Sequence, residues 1–499
     1  MPERTRIPSG PAGLRPAVLA LALASAFGSQ PPLAHAQALP TGGVAVHGQA
    51  VITQPAANQL RVVTQNGAGT NHSAINWQSF SVGAGNTATI VQPSSSSLSI
   101  NRVVTATPSA IFGTLSSNGR LVLVNQSGIA VGAGAVIDTA GFTASALRMS
   151  DADALAGRLR FGDPSASMGG AAGLTVGGRI TARDGDIVLV APNIDLGTSA
   201  LLQAPNGSTV LAAGQQVEIT GRGLEGITML VQAPADQARN LGRLEGNAVG
   251  IFAGTLRHSG EIQATTATLE GGTVVLKAAG DAIVDGAAKV LATGTTGGQV
   301  DVLGQRVAVT GQALIDVSGA QGGGKIRVGG DYQGANPEVP NAWRTYLGPQ
   351  AELRANALER GDGGRIIVWA DDVTRAYGTI QARGGAEEGQ GGFAEVSGRH
   401  HLDFQAAVDL RAPRGAVGTL LLDPDYIDIV LSGSNAVTDA DQFSDPISSV
   451  TLTAATLALV AGNLMLQSNG DITFSSALTM AVPGASVTAL AGNMIRVDA

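Results

Sequence analysis

The sequence predicts an all-β protein: a right-handed parallel β-helix (β-solenoid) with small extra-helical elements near its N-terminal end. Three observations carry this. Of 499 residues, 44% are hydrophobic but only 3% aromatic, with 69 glycines, so the interior has to be built from small aliphatic side chains. These suit a narrow interior, to which each strand offers two or three inward residues, better than the bulky core of a globular domain of this length. A Gly-Gly pair followed by a short β-branched run recurs five times between residues 271 and 398. Alternation of apolar and polar residues is broken every five or six positions by Gly, Asn or Asp, a pattern that makes corners rather than helices.

The repeat begins at Gly271, Gly297, Gly323, Gly363 and Gly391, at separations of 26, 26, 40 and 28 residues. Three strands of four to six residues plus corners fill one solenoid turn in roughly 20–30 residues. The runs after the glycines, such as Gln299-Val300-Asp301-Val302 and Lys325-Ile326-Arg327-Val328, predict one strand per coil with Val300 and Ile326 inward. A second strand recurs as Leu314–Val317, Glu352–Ala355 and Thr379–Ala382. Glycine is expected to supply positive-φ corners. The 40-residue interval holds Asn336–Trp343, read as a loop between two coils. The phrase Ala461–Leu466 returns as Ala491–Arg496, 30 residues later, and the sequence stops inside a repeat with no polar cap, which reads as a fragment or truncation.

Residues 1–36 read as a signal peptide: Arg4, Arg6 and Arg15, the apolar run Ala17–Phe27, then Ala34-His35-Ala36 before Gln37, with cleavage between Ala36 and Gln37. No other stretch approaches 18 uninterrupted apolar residues, so no transmembrane segment is expected. The formal net charge is −8, and −10 without the leader, with the cations scattered singly; nucleic acid is therefore not an expected partner. Zero cysteines in an exported chain leave stability to packing and backbone hydrogen bonds. Chance depletion accounts for this as well as a need to keep the chain threadable through a second membrane.

Ordered phrases across residues 39–250 resemble the secretion domain of the filamentous haemagglutinin family, exoproteins exported by the two-partner (type Vb) pathway. They run from Leu39-Pro40-Thr41-Gly42-Gly43 through Ile75-Asn76-Trp77-Gln78-Ser79-Phe80, Asn101-Arg102-Val103, Pro108–Gly113 and Leu121–Ile129 to Gly141–Ser145 and Ser150-Asp151-Ala152-Asp153. Where the family usually has Asn-Pro-Asn-Gly-Ile, this chain has Asn125-Gln126-Ser127-Gly128-Ile129, which still suits a tight turn aiming Ile129 inward. Further phrases, including Leu420-Leu421-Leu422-Asp423-Pro424, extend the resemblance downstream. It implies four parts: the leader (1–36), a two-partner secretion or haemagglutination activity domain (37–250), β-helix repeats (251–423), and further repeats, truncated (424–499). It also implies a cognate outer-membrane barrel transporter whose periplasmic POTRA domains read a secretion signal. The candidate signal residues are Asn76, Trp77, Phe80, Asn101, Arg102, Asn125, Gly128 and Ile129.

Catalysis has little to work with, and the sequence predicts no enzyme and no cofactor or metal site. The mature histidines, His47, His72, His258, His400 and His401, lie in no nucleophile or metal motif. His400-His401 would face opposite sides of a strand. Asp184-Gly185-Asp186 and Asp423-Pro424-Asp425 read as turn carboxylates rather than calcium ligands, and Arg360-Gly361-Asp362 as turn chemistry rather than an integrin motif. Ser150–Phe161 reads as one short helix outside the coils. Tyr332–Leu347 is the best contact-loop candidate, against a plain cover for the solenoid side. The leading function is an adhesin or haemagglutinin stalk whose host-cell or bacterial receptor is unidentified. The alternatives are a haem- or carrier-protein-binding exoprotein, or the delivery stalk of a contact-dependent toxin.

Overall fold

The computed structural model describes residues 38–162, 172–231, 235–431, 443 and 451–499. The expected leader and its cleavage at Ala36 and Gln37 lie outside the described residues. From residue 59 onward the described residues wind into a parallel β-helix with three strands per coil. Asp281–Val284, Lys289–Leu291 and Gln299–Leu303 form one coil; Arg306–Val309, Leu314–Asp316 and Lys325–Val328 form the next, each strand parallel to its predecessor.

Stacking makes three faces. The first includes Leu314–Asp316, Glu352–Arg354 and Thr379–Gln381; the second Gln299–Leu303, Lys325–Val328, Arg365–Ala370 and Phe393–Gly398. Both sets carry strands expected from the repeat. The third face, an 11-stranded parallel sheet from Ser109–Ile111 to His401–Phe404, follows no Gly-Gly pair and was not visible in the sequence. Inward residues stack in columns: Val274, Val300, Ile326, Ile366, Ala394, Leu420 and Leu464 follow one another in register, each at most 1% exposed.

Two expectations need correction and one needs narrowing. Glycine does supply positive-φ corners, as at Gly286, Gly311, Gly361 and Gly389, but the Gly-Gly pairs are not among them. Their glycines are required by close approach of successive coils: a Cβ on Gly298 would lie 2.1 Å from the Gly272 carbonyl oxygen, and one on Gly297 1.8 Å from that of Val317. Ser150–Phe161 is not one helix. Asp151–Ala156 is helical, Gly157 ends it in the left-handed conformation, and Leu159–Phe161 joins Gln216–Ile219 and Ile227–Leu230 in a small antiparallel sheet. Finally, Asn463–Ser468 pairs with Val487–Ala491, 23 residues on from Leu464, so the 30-residue phrase match does not set the coil register.

The N-terminal end is closed by antiparallel strands. Val44–His47 pairs with His72–Trp77, and Gln49–Ala56 with Gln59–Gln65, covering an edge that would otherwise expose unpaired backbone groups. The helix and small sheet cover the outer side of the second face over an apolar layer of Ile100, Val122, Val188, Val210, Leu147, Met149 and Phe161. In the 40-residue interval, 329–343 straps the same face further along. Its own Val339 and Ala342 are buried, whereas Trp343 is 49% exposed. Among the described residues, no helix is long and apolar enough to cross a membrane.

Candidate secretion-signal site

The signal residues expected from the sequence converge on the first coils. Strands His72–Trp77 and Leu98–Val103 are parallel neighbours in which Asn76 faces Arg102 and Ile75 faces Asn101. Alternation along each strand then sends the two halves of the motif to opposite sides.

Inside, Trp77 Nε1 donates to Asn101 Oδ1 at 3.0 Å, and Asn101 Nδ2 donates to Ser99 Oγ at 3.1 Å; Trp77 and Asn101 are fully buried. Phe80 meets the indole edge-on, ring centres 5.4 Å apart. The space above the indole belongs to the cap: a Cβ on Gly43 would lie 2.6 Å from Trp77 Cζ3, which explains the glycine in Leu39–Gly43.

Outside, Arg102 is 5% exposed. Its Nε and Nη2 donate to Asn76 Oδ1 at 3.1 and 2.8 Å, Nη1 to the Met149 carbonyl at 3.1 Å, and Nη2 to Asp151 Oδ1 at 2.6 Å. This guanidinium ties two coils to the start of the covering helix, whose N-cap Ser150 Oγ accepts from Asp153 N. At the other end of that helix, His72 contacts the Leu155 carbonyl and stacks on His47 of the cap, ring centres 4.2 Å apart; burial lowers the His72 pKa.

The turn at 125–129 keeps its form without proline. Asn125 Oδ1 accepts from Ser127 N, its Nδ2 donates to the Thr107 carbonyl and Ser109 Oγ, each at 2.9 Å, and Gly128 N donates to the Asn125 carbonyl at 3.0 Å. Gly128 sits at φ +103°, a region costly for other residues, and Ile129 points inward at 2% exposure.

The TPS secretion domain family matches residues 36–302, more than half of the chain. The chain belongs to this family. The TPS match continues past residue 250, and the strand Arg243–Ala253 runs through that position unbroken. Among solved structures, the HMW1 secretion domain from Haemophilus influenzae superposes with a TM-score of 0.66 at 27% identity, over 77% of this chain and 100% of that one. Two curated relatives, both heme/hemopexin-binding proteins from Haemophilus influenzae, are 32% identical over 112 residues and 30% over 100. These matches take in 22% and 20% of this chain and only 12% and 10% of the relatives' length.

Elsewhere, Asp186 accepts from the backbone of Ser208 and Gly223. His400 pairs with Asp425 at 2.7 Å, and His401, half-buried, opens the neighbouring strand His401–Phe404. In Arg360-Gly361-Asp362, Arg360 pairs with Glu387 and Asp362 accepts from Gln390 N. No group of three or more potential metal ligands occurs among the described residues. Two features gave no sequence signal: the inward pair Asn240 and His258, and Glu395, fully buried under the strap where both its oxygens accept from Gln333 N.

Proposed function

We propose that the first coils of this two-partner secretion exoprotein are its address for a cognate outer-membrane transporter, and that the address is read before these coils fold. The observation that carries this reading is burial: Trp77, Phe80, Asn101, Arg102, Asn125 and Ile129 are each at most 5% exposed. A partner that recognises these side chains has to meet them in the extended chain, where strand addition to an open sheet edge supplies the backbone bonds. POTRA domains on the periplasmic side of the barrel are the proposed readers. Once outside, coil formation removes the motif from solvent and disfavours return.

The test is export. With the cognate transporter co-expressed, deletion of residues 75–130 should leave the protein in the periplasm, and undiminished appearance in the medium would refute the address.

Beyond the address, the solenoid acts as a surface-exposed, non-enzymatic adhesin stalk in this reading. The names of the two curated relatives favour a second one, a haem- or carrier-protein-binding exoprotein. Titration of the purified chain with haem and with haem-loaded carrier protein separates the two.

A further inference from the structure

A groove of about 800 Å³ follows the corner between the first and second faces, far from the signal residues. The Gly-Gly pairs from 271–272 to 391–392 form its floor. Beside them runs the register column Thr273, Gln299, Lys325, Arg365, Phe393 and Thr419. Six stacked coils at about 4.8 Å spacing make it roughly 24 Å long.

One residue in that column is unlike the others. Arg365 Cζ lies 4.7 Å from the ring centre of Tyr332 and 4.6 Å from that of Phe393, and these rings touch edge to face at 5.9 Å. Its guanidinium donors have no hydrogen-bond or ion-pair partner among the described residues. The neighbouring cation is spent, because Lys325 Nζ bonds to Asp331 at 3.0 Å. Asp362, on the groove wall, is held by Gln390 N at 2.7 Å.

We propose that this groove binds an acidic polysaccharide, a chain of carboxylated sugars lying along the solenoid axis with one carboxylate on Arg365. The planar guanidinium fork matches a carboxylate through two parallel hydrogen bonds, and the two rings hold it in place beforehand. The carboxyl nearest in influence, Glu395, does not neutralise it: burial pushes Glu395 up to about 8, so it keeps its proton at neutral pH. The length of the groove calls for a chain rather than a small anion. The floor favours sugar over peptide, since the glycine N–H groups are already taken: Gly363 N by the Gln390 carbonyl, Gly364 N by Ala355, Gly391 N by Ala416 and Gly392 N by Ala382. A peptide strand finds no free ladder to extend there, whereas sugar rings lie flat on glycine backbone and on Phe393.

The site is independent of the transporter reading and is tested on the full secreted chain by calorimetric titration with oligogalacturonate. Saturable binding is expected, with neutral galactan inert. Arg365→Gln should weaken it at least 10-fold at an unchanged melting temperature, the loss of a charge-assisted bidentate contact. Arg365→Lys, which keeps charge but not the fork, should fall between. Absence of binding by the wild type, an unaltered affinity in Arg365→Gln, an equal loss in Arg239→Gln on the third face, or equal affinity for polyglutamate would each overturn the proposal.

Discussion

Trp77 and Asn101 form a single buried polar contact between consecutive coils, the indole N–H donating to the amide oxygen at 3.0 Å with neither residue open to solvent. Asn101 stands where the column above and below it is apolar, Ile75 on one side and Leu123 on the other. Its place in the interior is tolerable because the indole and Ser99 occupy its hydrogen-bonding groups.

Asn101→Ala should therefore strand a buried donor and cost about 1–3 kcal/mol. Trp77→Phe should cost the packing of a larger ring and strand the Asn101 oxygen, and the double variant should lose clearly less than the sum of the two. Denaturant titrations of the four proteins, followed by circular dichroism, measure the coupling.

Gly298 tests why the repeat spells Gly-Gly. Since its φ is unremarkable, strain is absent, and the penalty comes from a Cβ 2.1 Å from the Gly272 carbonyl oxygen. Gly298→Ala should lower stability by about 1–3 kcal/mol, the usual cost of overpacking. Gly484→Ala, at a position where no atom lies within 4 Å but φ is +78°, should cost only about 1 kcal/mol, a conformational term alone.

His258 is enclosed in the coil interior, bonded through Nδ1 to Asn240, and burial lowers its pKa to about 4. Because the folded value lies below the ordinary 6.5, the neutral ring's contribution is complete above pH 6.5 and is lost as pH falls through 4. At about 1.4 kcal/mol per pH unit the loss is on the order of 3 kcal/mol. The stability gap between wild type and His258→Gln should shrink from pH 7.5 to pH 4; a constant gap would contradict a buried neutral ring.

Glu395 works in the opposite direction. Burial raises its pKa to about 8, so folding favours the protonated form, and that stability, complete below the ordinary value near 4.5, is lost as pH rises through 8. Glu395→Gln keeps an acceptor for Gln333 N and removes the titration. It should be neutral at pH 5 and more stable than wild type by a few kcal/mol at pH 9.

What the sequence displayed and what it hid follow from local chemistry. The second face was legible because each strand, such as Gln299–Leu303, follows a glycine pair that coil contact demands. The first face showed through Leu314–Val317 and its equivalents. The third face has no such marker: Asp281–Val284 and Arg306–Val309 follow varied turns, so their shared register appears only in the stack. The candidate signal residues were picked out by resemblance to a family, yet their division into an inward pair, Trp77 with Asn101, and an outward pair, Asn76 with Arg102, needed the register of two strands. Arg102's bonds to Met149 and Asp151, and Glu395's to Gln333, join residues 47 to 62 apart and left no trace in local pattern.

The proposed reading of the candidate signal motif from the unfolded chain is tested most directly by binding of the cognate transporter's purified periplasmic domains to the chain in two states. Wild-type protein diluted from urea and captured before it refolds should bind, and the same protein after refolding should bind at least 10-fold more weakly. Equal or tighter binding by the refolded protein would contradict an address read from the extended chain and would move recognition to the outer surface of the solenoid.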